Sequence, residues 1–431
     1  MEVDRLAAQV KEASLKLAAI GADVKNAALE KIAEGLLEHK AEILKANAED
    51  LARSEQAKLA GPLLKRLKFD EAKLADAVEG IRSLETLEDP VGKTLAATEL
   101  DEGLELYKVT CPIGVIGVIF ESRPDALVQI SSLCLKSGNG VLLKGGSEAM
   151  ETNRVLAGII ASSTEAAGIP AGWIKLLETR SDVEELLKLD KYIDLIIPRG
   201  SNEFVRHIMN NTNIPVMGHA DGICHCYADS EADIGMAVRL AVDSKVQYVA
   251  VCNAEETLLV HEAIAAEFLP RLKSATDEYN VELMGCPRTA AIIPVAPATE
   301  ADWRTEYLDY KLSVKVVKDL DEAIEHINTY GSGHTDAIIT ESRENALRFL
   351  SLVDSGNVFW NCSTRFSDGF KYGLGAEVGI STGKLHARGP VGLEGLVIYK
   401  YLLLGDGRTV SDYANKLKTF KHKKIGKSFP S

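Results

Sequence analysis

Apolar residues recur at two different periods along the chain, and the change of period marks its parts. Over the first ninety residues the spacing is helical. Leu29, Ile32, Leu36 and Ile43 fall on one face behind Asp23, the expected N-cap, and Pro62 and Pro90 punctuate the segment. From 94 to 111 polar and apolar residues alternate on both sides of Asp101-Glu102-Gly103, which predicts a two-stranded ribbon closed by a tight turn. A lone ribbon is marginal in water, so this one is expected to lean on another domain or subunit.

Beyond Ile113 the pattern changes to short, continuous runs of Ile, Val and Leu at 113–120, 140–144, 174–178 and 193–197, too apolar to be half-exposed. Helical stretches at 125–137, 148–167, 181–189 and 201–212 alternate with them. Such alternation implies right-handed crossovers and a parallel sheet covered on both faces. After Asp229 a second alternation begins, with strands at 256–261, 312–317, 335–340 and 355–360 between helices at 231–246, 262–275, 321–329 and 342–352. The chain is therefore expected to hold two doubly wound α/β units. Residues 361–395 read as glycine-rich loop, and 396–404 as a last strand. The tail carrying Lys416, Lys418, Lys421, Lys423, Lys424 and Lys427 reads as a solvated end.

Composition narrows the function classes. With 49 basic against 63 acidic residues the formal charge is −14, which argues against nucleic acid as the partner. No run approaches the roughly 20 apolar residues that span a bilayer, and the amino terminus lacks the apolar stretch of a signal peptide. A cytoplasmic protein without membrane contact is expected. The seven scattered cysteines make reduced thiols the economical expectation.

Two strand ends carry phosphate-compatible chemistry although no GxGxxG is present. Lys144-Gly145-Gly146-Ser147-Glu148 supplies a cation, two glycines and a hydroxyl before a helix; Arg199-Gly200-Ser201 supplies a glycine and a capping serine. Either loop alone is equally a tight βα turn; together on one sheet they favour a nucleotide. Cys134 and Cys226 fall in core patterns, and Cys224-His225-Cys226 has no second ligand pair, so no metal is expected. Cys252 differs in lying at a helix-to-strand junction, open to a cleft. Locally it reads either as inert or as a nucleophile, the latter requiring nearby donors or positive charge. The block at 361–392 adds Arg365, Lys371, Lys384, His386 and Arg388 on irregular backbone, which fits a small acidic substrate or a subunit contact.

Several long blocks, in order, carry a resemblance: IFESRPD (119–125), LLKGGSEA (142–149), DLIIPRGSNEFV (194–205), GHADGICH (218–225), VCNAEETLLVH (251–261), INTYGSGHTDAIIT (327–340), NCSTRFSDGFKYGLGAEVGIST (361–382) and HARGPVGLEGL (386–396). Over its whole length the chain resembles the gamma-glutamyl phosphate reductases, also called glutamate-5-semialdehyde dehydrogenases, a branch of the aldehyde dehydrogenase superfamily. The resemblance implies an aldehyde dehydrogenase-like α/β fold. Residues 1–240 would bind NADPH, 241–390 would carry the nucleophile Cys252, and the 94–111 ribbon with 391–431 would form a β oligomerisation arm.

Further implications attach to single residues. Lys144 would meet the adenosine ribose, with Gly145, Ser147 and Glu148 nearby. Gly200 and Ser201 would lie beside the pyrophosphate, and Glu306 would bind the nicotinamide ribose. The stretch 219–222 lacks the glutamate with which hydrolytic relatives activate water, as suits an enzyme whose thioester must meet phosphate instead. Ser122-Arg123-Pro124 replaces the superfamily's oxyanion asparagine, leaving the Cys252 N–H as a contributor. Arg123, Arg365 and Arg388 are candidate anion clamps, with Ser122 and Asn253 as further substrate contacts and His219 as an acid, a base or a structural residue. The implied reaction reduces L-glutamyl 5-phosphate to L-glutamate 5-semialdehyde in proline biosynthesis. Homo-oligomers and contact with the glutamate kinase that makes the acyl phosphate are implied as well. The competing expectation is a non-phosphorylating NAD(P)-dependent aldehyde dehydrogenase.

Overall fold

The computed structural model describes residues 2–178, 181–219 and 221–430. Five helices open the chain, from Glu2–Leu17 to Glu71–Thr86. The cap of helix Ala22–Glu38 is Gly21, not Asp23; Asp23 sits in the first turn, where its charge still favours the positive helix end.

Four parallel strands follow, in the spatial order Ile174–Leu177, Gly140–Gly145, Val115–Phe120, Leu195–Arg199. The chain builds outward from Val115–Phe120 on one side, then returns to its other side. The order therefore reverses between Val115–Phe120 and Leu195–Arg199, the place where open sheets bind ligands. Both faces are covered: Leu133, Ile160 and Trp173 pack on one, and Val10, Ile193 and Ile208 on the other.

The second sheet has seven parallel strands, in the order Ala296–Pro297, Glu282–Gly285, Lys311–Val317, Glu255–His261, Cys224–Ala228, Thr335–Ile339, Asn357–Trp360. Three of these, including the interior Cys224–Ala228, are absent from the sequence expectation. Cys-His-Cys-Tyr-Ala reads as polar, yet every residue of it is buried. A unit boundary at 240 is thus too late, since Cys224–Ala228 and helix Ile234–Val246 both pack on this sheet. The upper boundary also shifts. Val378, Val391 and Leu393 of the glycine-rich block pack into the core of the first sheet, and the block itself contains a small hairpin, Gly379–Ser381 with Gly389–Val391. That block therefore crosses between the two sheets and closes a cleft.

The ribbon is Thr94–Asp101 paired with Leu104–Pro112, extended on one edge by Val397–Leu404. The lysine-rich tail is not a loose end. Lys423–Lys424 pairs with the ribbon's other edge, Lys427 meets Glu105 at 2.5 Å, and Phe429 packs edge-on against Tyr107. Acidic ribbon and basic tail neutralise one another. No helix among the described residues is long and apolar enough to cross a membrane.

Candidate active site

Strand Glu255–His261 is anchored by fully buried Leu258, Leu259 and Val260, each contributing about 1.5–3 kcal/mol on burial. The turn just before it, closed by Ala254 N–H to Val251 O at 3.1 Å, presents half-buried Cys252. Neighbours hold this turn tightly. Thr364 Oγ1 donates to Asn253 O at 2.7 Å, and Asn253 Nδ2 donates to Ser367 O at 2.7 Å, so the glycine-rich block clamps the cysteine turn. Gly222 lies against the Cys252 backbone; a Cβ there would stand 2.5 Å from Cys252 Cα, so no side chain fits.

Cys252 opens into a cleft of about 490 Å³ between the two sheets and the glycine-rich block. Arg66, Arg123, Arg199 and Arg365 all line it. Among the described residues Arg66, Arg123 and Arg199 pair with no carboxylate, and Arg365 is steadied by Gln247 Oε1 at 2.9 Å. Burial, with Arg199 and Arg66 as neighbours, lowers the pKa of Arg123. A nearby anion would relieve this crowding of positive charge. The carboxylates of the cleft are engaged elsewhere. Glu121 accepts from Ser201 N–H at 2.9 Å, Glu377 from Gly369 N–H at 2.8 Å, and Glu306 from Asn202 Nδ2. Burial raises the pKa of Glu306, against the opposing Asn202 hydrogen bond.

His219 also faces the cleft. Its Nδ1 lies 2.8 Å from the Ile380 carbonyl, which can only accept, so Nδ1 carries the proton and Nε2 presents a lone pair. Burial lowers its pKa, partly opposed by that carbonyl, so the ring is held neutral. A ring nitrogen of His219 lies within 4.8 Å of the Cys252 sulfur, and a nitrogen of the buried His334 completes the same cluster.

The expected cofactor residues divide into two groups. Gly200 and Ser201 line the cleft at the start of helix Asn202–Asn210, and a Cβ at Gly200 would come within 2.6 Å of Glu121 Oε2 and 2.8 Å of the Phe204 ring. Lys144, Gly145, Ser147 and Glu148 stand at the end of strand Gly140–Gly145, two places away across Val115–Phe120, outside the cleft. Lys144 Nζ donates to Gly145 O, and burial lowers its pKa.

Two expected substrate contacts are engaged elsewhere and do not line the cleft. Ser122 is buried in left-handed backbone (φ 43°) and donates both its N–H, at 2.6 Å, and its hydroxyl, at 2.7 Å, to Glu148 Oε1. Its hydroxyl supports a strained turn. Arg388 is spent on Asp354, through Oδ1 at 2.9 Å and the carbonyl at 3.0 Å. Arg123, Arg365, His219, Asn253 and Glu306 do line the cleft. Sequence reasoning passed over Arg66, Glu121, Gly222 and His334. Arg199 belongs to the phosphate-compatible Arg199-Gly200-Ser201 motif, whereas Arg66, on the short helix Gly61–Leu67, carries no local signal.

The family model for the aldehyde dehydrogenase family matches residues 1–311 and 303–376. The chain is 74% identical over 430 residues to a gamma-glutamyl phosphate reductase of Acetivibrio thermocellus, covering 100% of both, and 73% identical to one of Pelotomaculum thermopropionicum, covering 100% of this chain and 99% of that one. The crystal structure of a gamma-glutamyl phosphate reductase from Thermotoga maritima superposes with a TM-score of 0.93 at 41% identity, covering 95% of this chain and 100% of that one. By sequence and by fold, the chain belongs to the NAD(P)-dependent aldehyde dehydrogenase family and, within it, to the gamma-glutamyl phosphate reductases.

Proposed function

We propose that the chain reduces L-glutamyl 5-phosphate to L-glutamate 5-semialdehyde and inorganic phosphate with NADPH, through a thioester on Cys252. One observation carries the chemistry: a thiol beside a neutral imidazole, in a cleft lined by arginines that have no carboxylate partners among the described residues.

His219 Nε2 takes the thiol proton, and the thiolate attacks the acyl carbon. Arg123, Arg199 and Arg66 hold the substrate's phosphate and carboxylate, so the phosphate leaves into positive charge. The Cys252 N–H steadies the developing oxyanion, and His219 hands its proton to the departing phosphate. The residues suit a dinucleotide. Gly200 allows close backbone approach, Ser201 presents a helix N-terminus at the strand-order reversal, and Lys144 lies two strands away. When bound, the nicotinamide supplies the hydride that reduces the thioester. The resulting thiohemiacetal expels Cys252 as thiolate, which regains its proton from solvent by way of His219. Splitting one hard reduction into acyl transfer and reduction is the benefit of the covalent step.

Strand Val397–Leu404, with exposed Tyr399, Tyr401 and Leu403, is the surface proposed for docking a second copy. Contact with glutamate kinase belongs to the same proposal, because an acyl phosphate is short-lived in water.

The test is Cys252→Ser in the phosphate-dependent oxidation of glutamate 5-semialdehyde by NADP⁺. Activity should fall roughly 10⁴-fold or more, with NADPH binding followed by fluorescence retained. Substantial residual turnover overturns the assignment. Product formed without phosphate or arsenate would favour the non-phosphorylating alternative.

A further inference from the structure

The nucleophile is flanked by two imidazoles. His219 and His334 lie edge to face with ring centroids 4.8 Å apart, and one donor atom from each, together with the Cys252 sulfur, falls within a mutual 4.8 Å. A tetrahedral zinc ion, with bonds of roughly 2.0–2.1 Å to nitrogen and 2.3 Å to sulfur, holds neighbouring donors roughly 3.3–3.8 Å apart. Side-chain adjustment of about an ångström would bring the three groups into that geometry.

The surroundings of the two rings match what metal-binding histidines require. Such a ring donates its second N–H to an oxygen, which fixes the tautomer and aims the free nitrogen at the ion. His219 Nδ1 donates to the Ile380 carbonyl at 2.8 Å, and His334 Nδ1 lies 2.8 Å from Thr335 Oγ1. His334 is wholly buried, and its Nε2 has no hydrogen-bond partner among the described residues. An orphaned buried imidazole nitrogen is costly, and nothing in the proposed acyl transfer uses it. The neighbouring thiol of Cys224 is excluded from the donor set: it lies on the Nδ1 side of His334 at 3.6 Å and is directed to the Cys252 carbonyl at 3.2 Å.

We propose that Cys252, His219 and His334 form a capture site for a thiophilic divalent cation, zinc foremost, which reversibly silences the enzyme by taking its nucleophile. Binding replaces the thiol proton by a sulfur–metal bond and releases that proton to buffer. Three protein ligands leave a fourth position for water or for an anion of the cleft. Inhibition as a readout rests on the nucleophilic role of Cys252; occupancy of the site does not.

Metal-stripped full-length protein would be titrated with chelator-buffered Zn²⁺. We expect one zinc per chain and loss of the phosphate-dependent oxidation, restored by EDTA. Bound zinc should also protect Cys252 from iodoacetamide, as read by mass spectrometry. Co²⁺ in place of zinc should give a thiolate-to-cobalt absorption band, absent in Cys252→Ser. His334→Asn should weaken zinc binding roughly tenfold or more. If that variant does not fold, Thr335→Val, which keeps the ring and removes its oxygen partner, should weaken binding in the same direction. Equal zinc affinity in wild type, His334→Asn and Cys252→Ser overturns the site. Unprotected alkylation at saturating zinc does so too. An inactive enzyme that still binds zinc through Cys252 would sink the functional reading and leave the metal site standing.

Discussion

The turns around Ser122, Ser201 and Lys144 and the part of the cleft that faces Cys252 treat their polar groups in opposite ways. In those turns the polar groups satisfy one another: Glu148 takes both donors of Ser122, Glu121 takes the Ser201 N–H, and Lys144 turns back to Gly145. Toward Cys252 they are left open, with Arg66, Arg123 and Arg199 lacking carboxylates among the described residues, an imidazole lone pair and a thiol. A buried polar group left without a partner costs free energy, so a fold that keeps several of them in one cleft keeps them for a ligand. The self-satisfied edge holds its shape without one.

Substitutions on either side can break or sharpen that contrast. The largest effect should come from His219→Gln, which removes the lone pair while keeping bulk: kcat should fall roughly 10²–10⁴-fold. Burial lowers the His219 pKa, so the ring stays neutral until the pH drops below the ordinary histidine value of about 6.5. The acid limb of kcat/KM against pH should accordingly lie below that value in wild type, and be absent in the variant. Arg123→Ala comes next. Losing one charge-assisted contact worth about 1.5–3 kcal/mol should raise KM for the acyl phosphate, or for phosphate in the reverse direction, roughly 10–100-fold. On the self-satisfied edge, Glu148→Gln should act on stability, costing about 1–2 kcal/mol by the urea midpoint, with less than a tenfold change in kcat. Smallest is Arg388→Gln. Its half-exposed pair with Asp354 is worth roughly 0–1 kcal/mol, and activity should change less than about threefold. A large loss of turnover in either of the last two would erase the distinction between the two edges.

The same contrast explains what was legible in the sequence. Runs such as 115–120 and 140–145 announce themselves because strands buried on both faces are continuously apolar. Cys224–Ala228 escaped because its polar residues are buried and find partners across the sheet; His225, for example, meets Asp336 through both its N–H, at 2.8 Å, and its ring Nδ1, at 3.1 Å. The Cys252 turn was legible as a helix-to-strand junction, but its inert and nucleophilic readings differ only in neighbours supplied from 219 and 334, which no local pattern reports. Arg388 and Arg123 look equivalent in sequence. What separates them is whether a carboxylate stands within reach, and that is a property of the folded chain.

The β arm also imposes an order in time. Both edges of the Thr94–Pro112 ribbon are completed by segments beyond residue 396, with Glu99 opposite Lys423. At about 5–20 residues per second the ribosome needs roughly 15–65 s to supply the second partner after the first. Throughout that interval the ribbon emerges with its main-chain edges open, an invitation to pair with another nascent chain. Glu99, Asp101 and Glu105 repel such company; later Asp101 and Glu105 become partners of Lys421 and Lys427. The same carboxylates thus guard the unfinished arm and then fasten it.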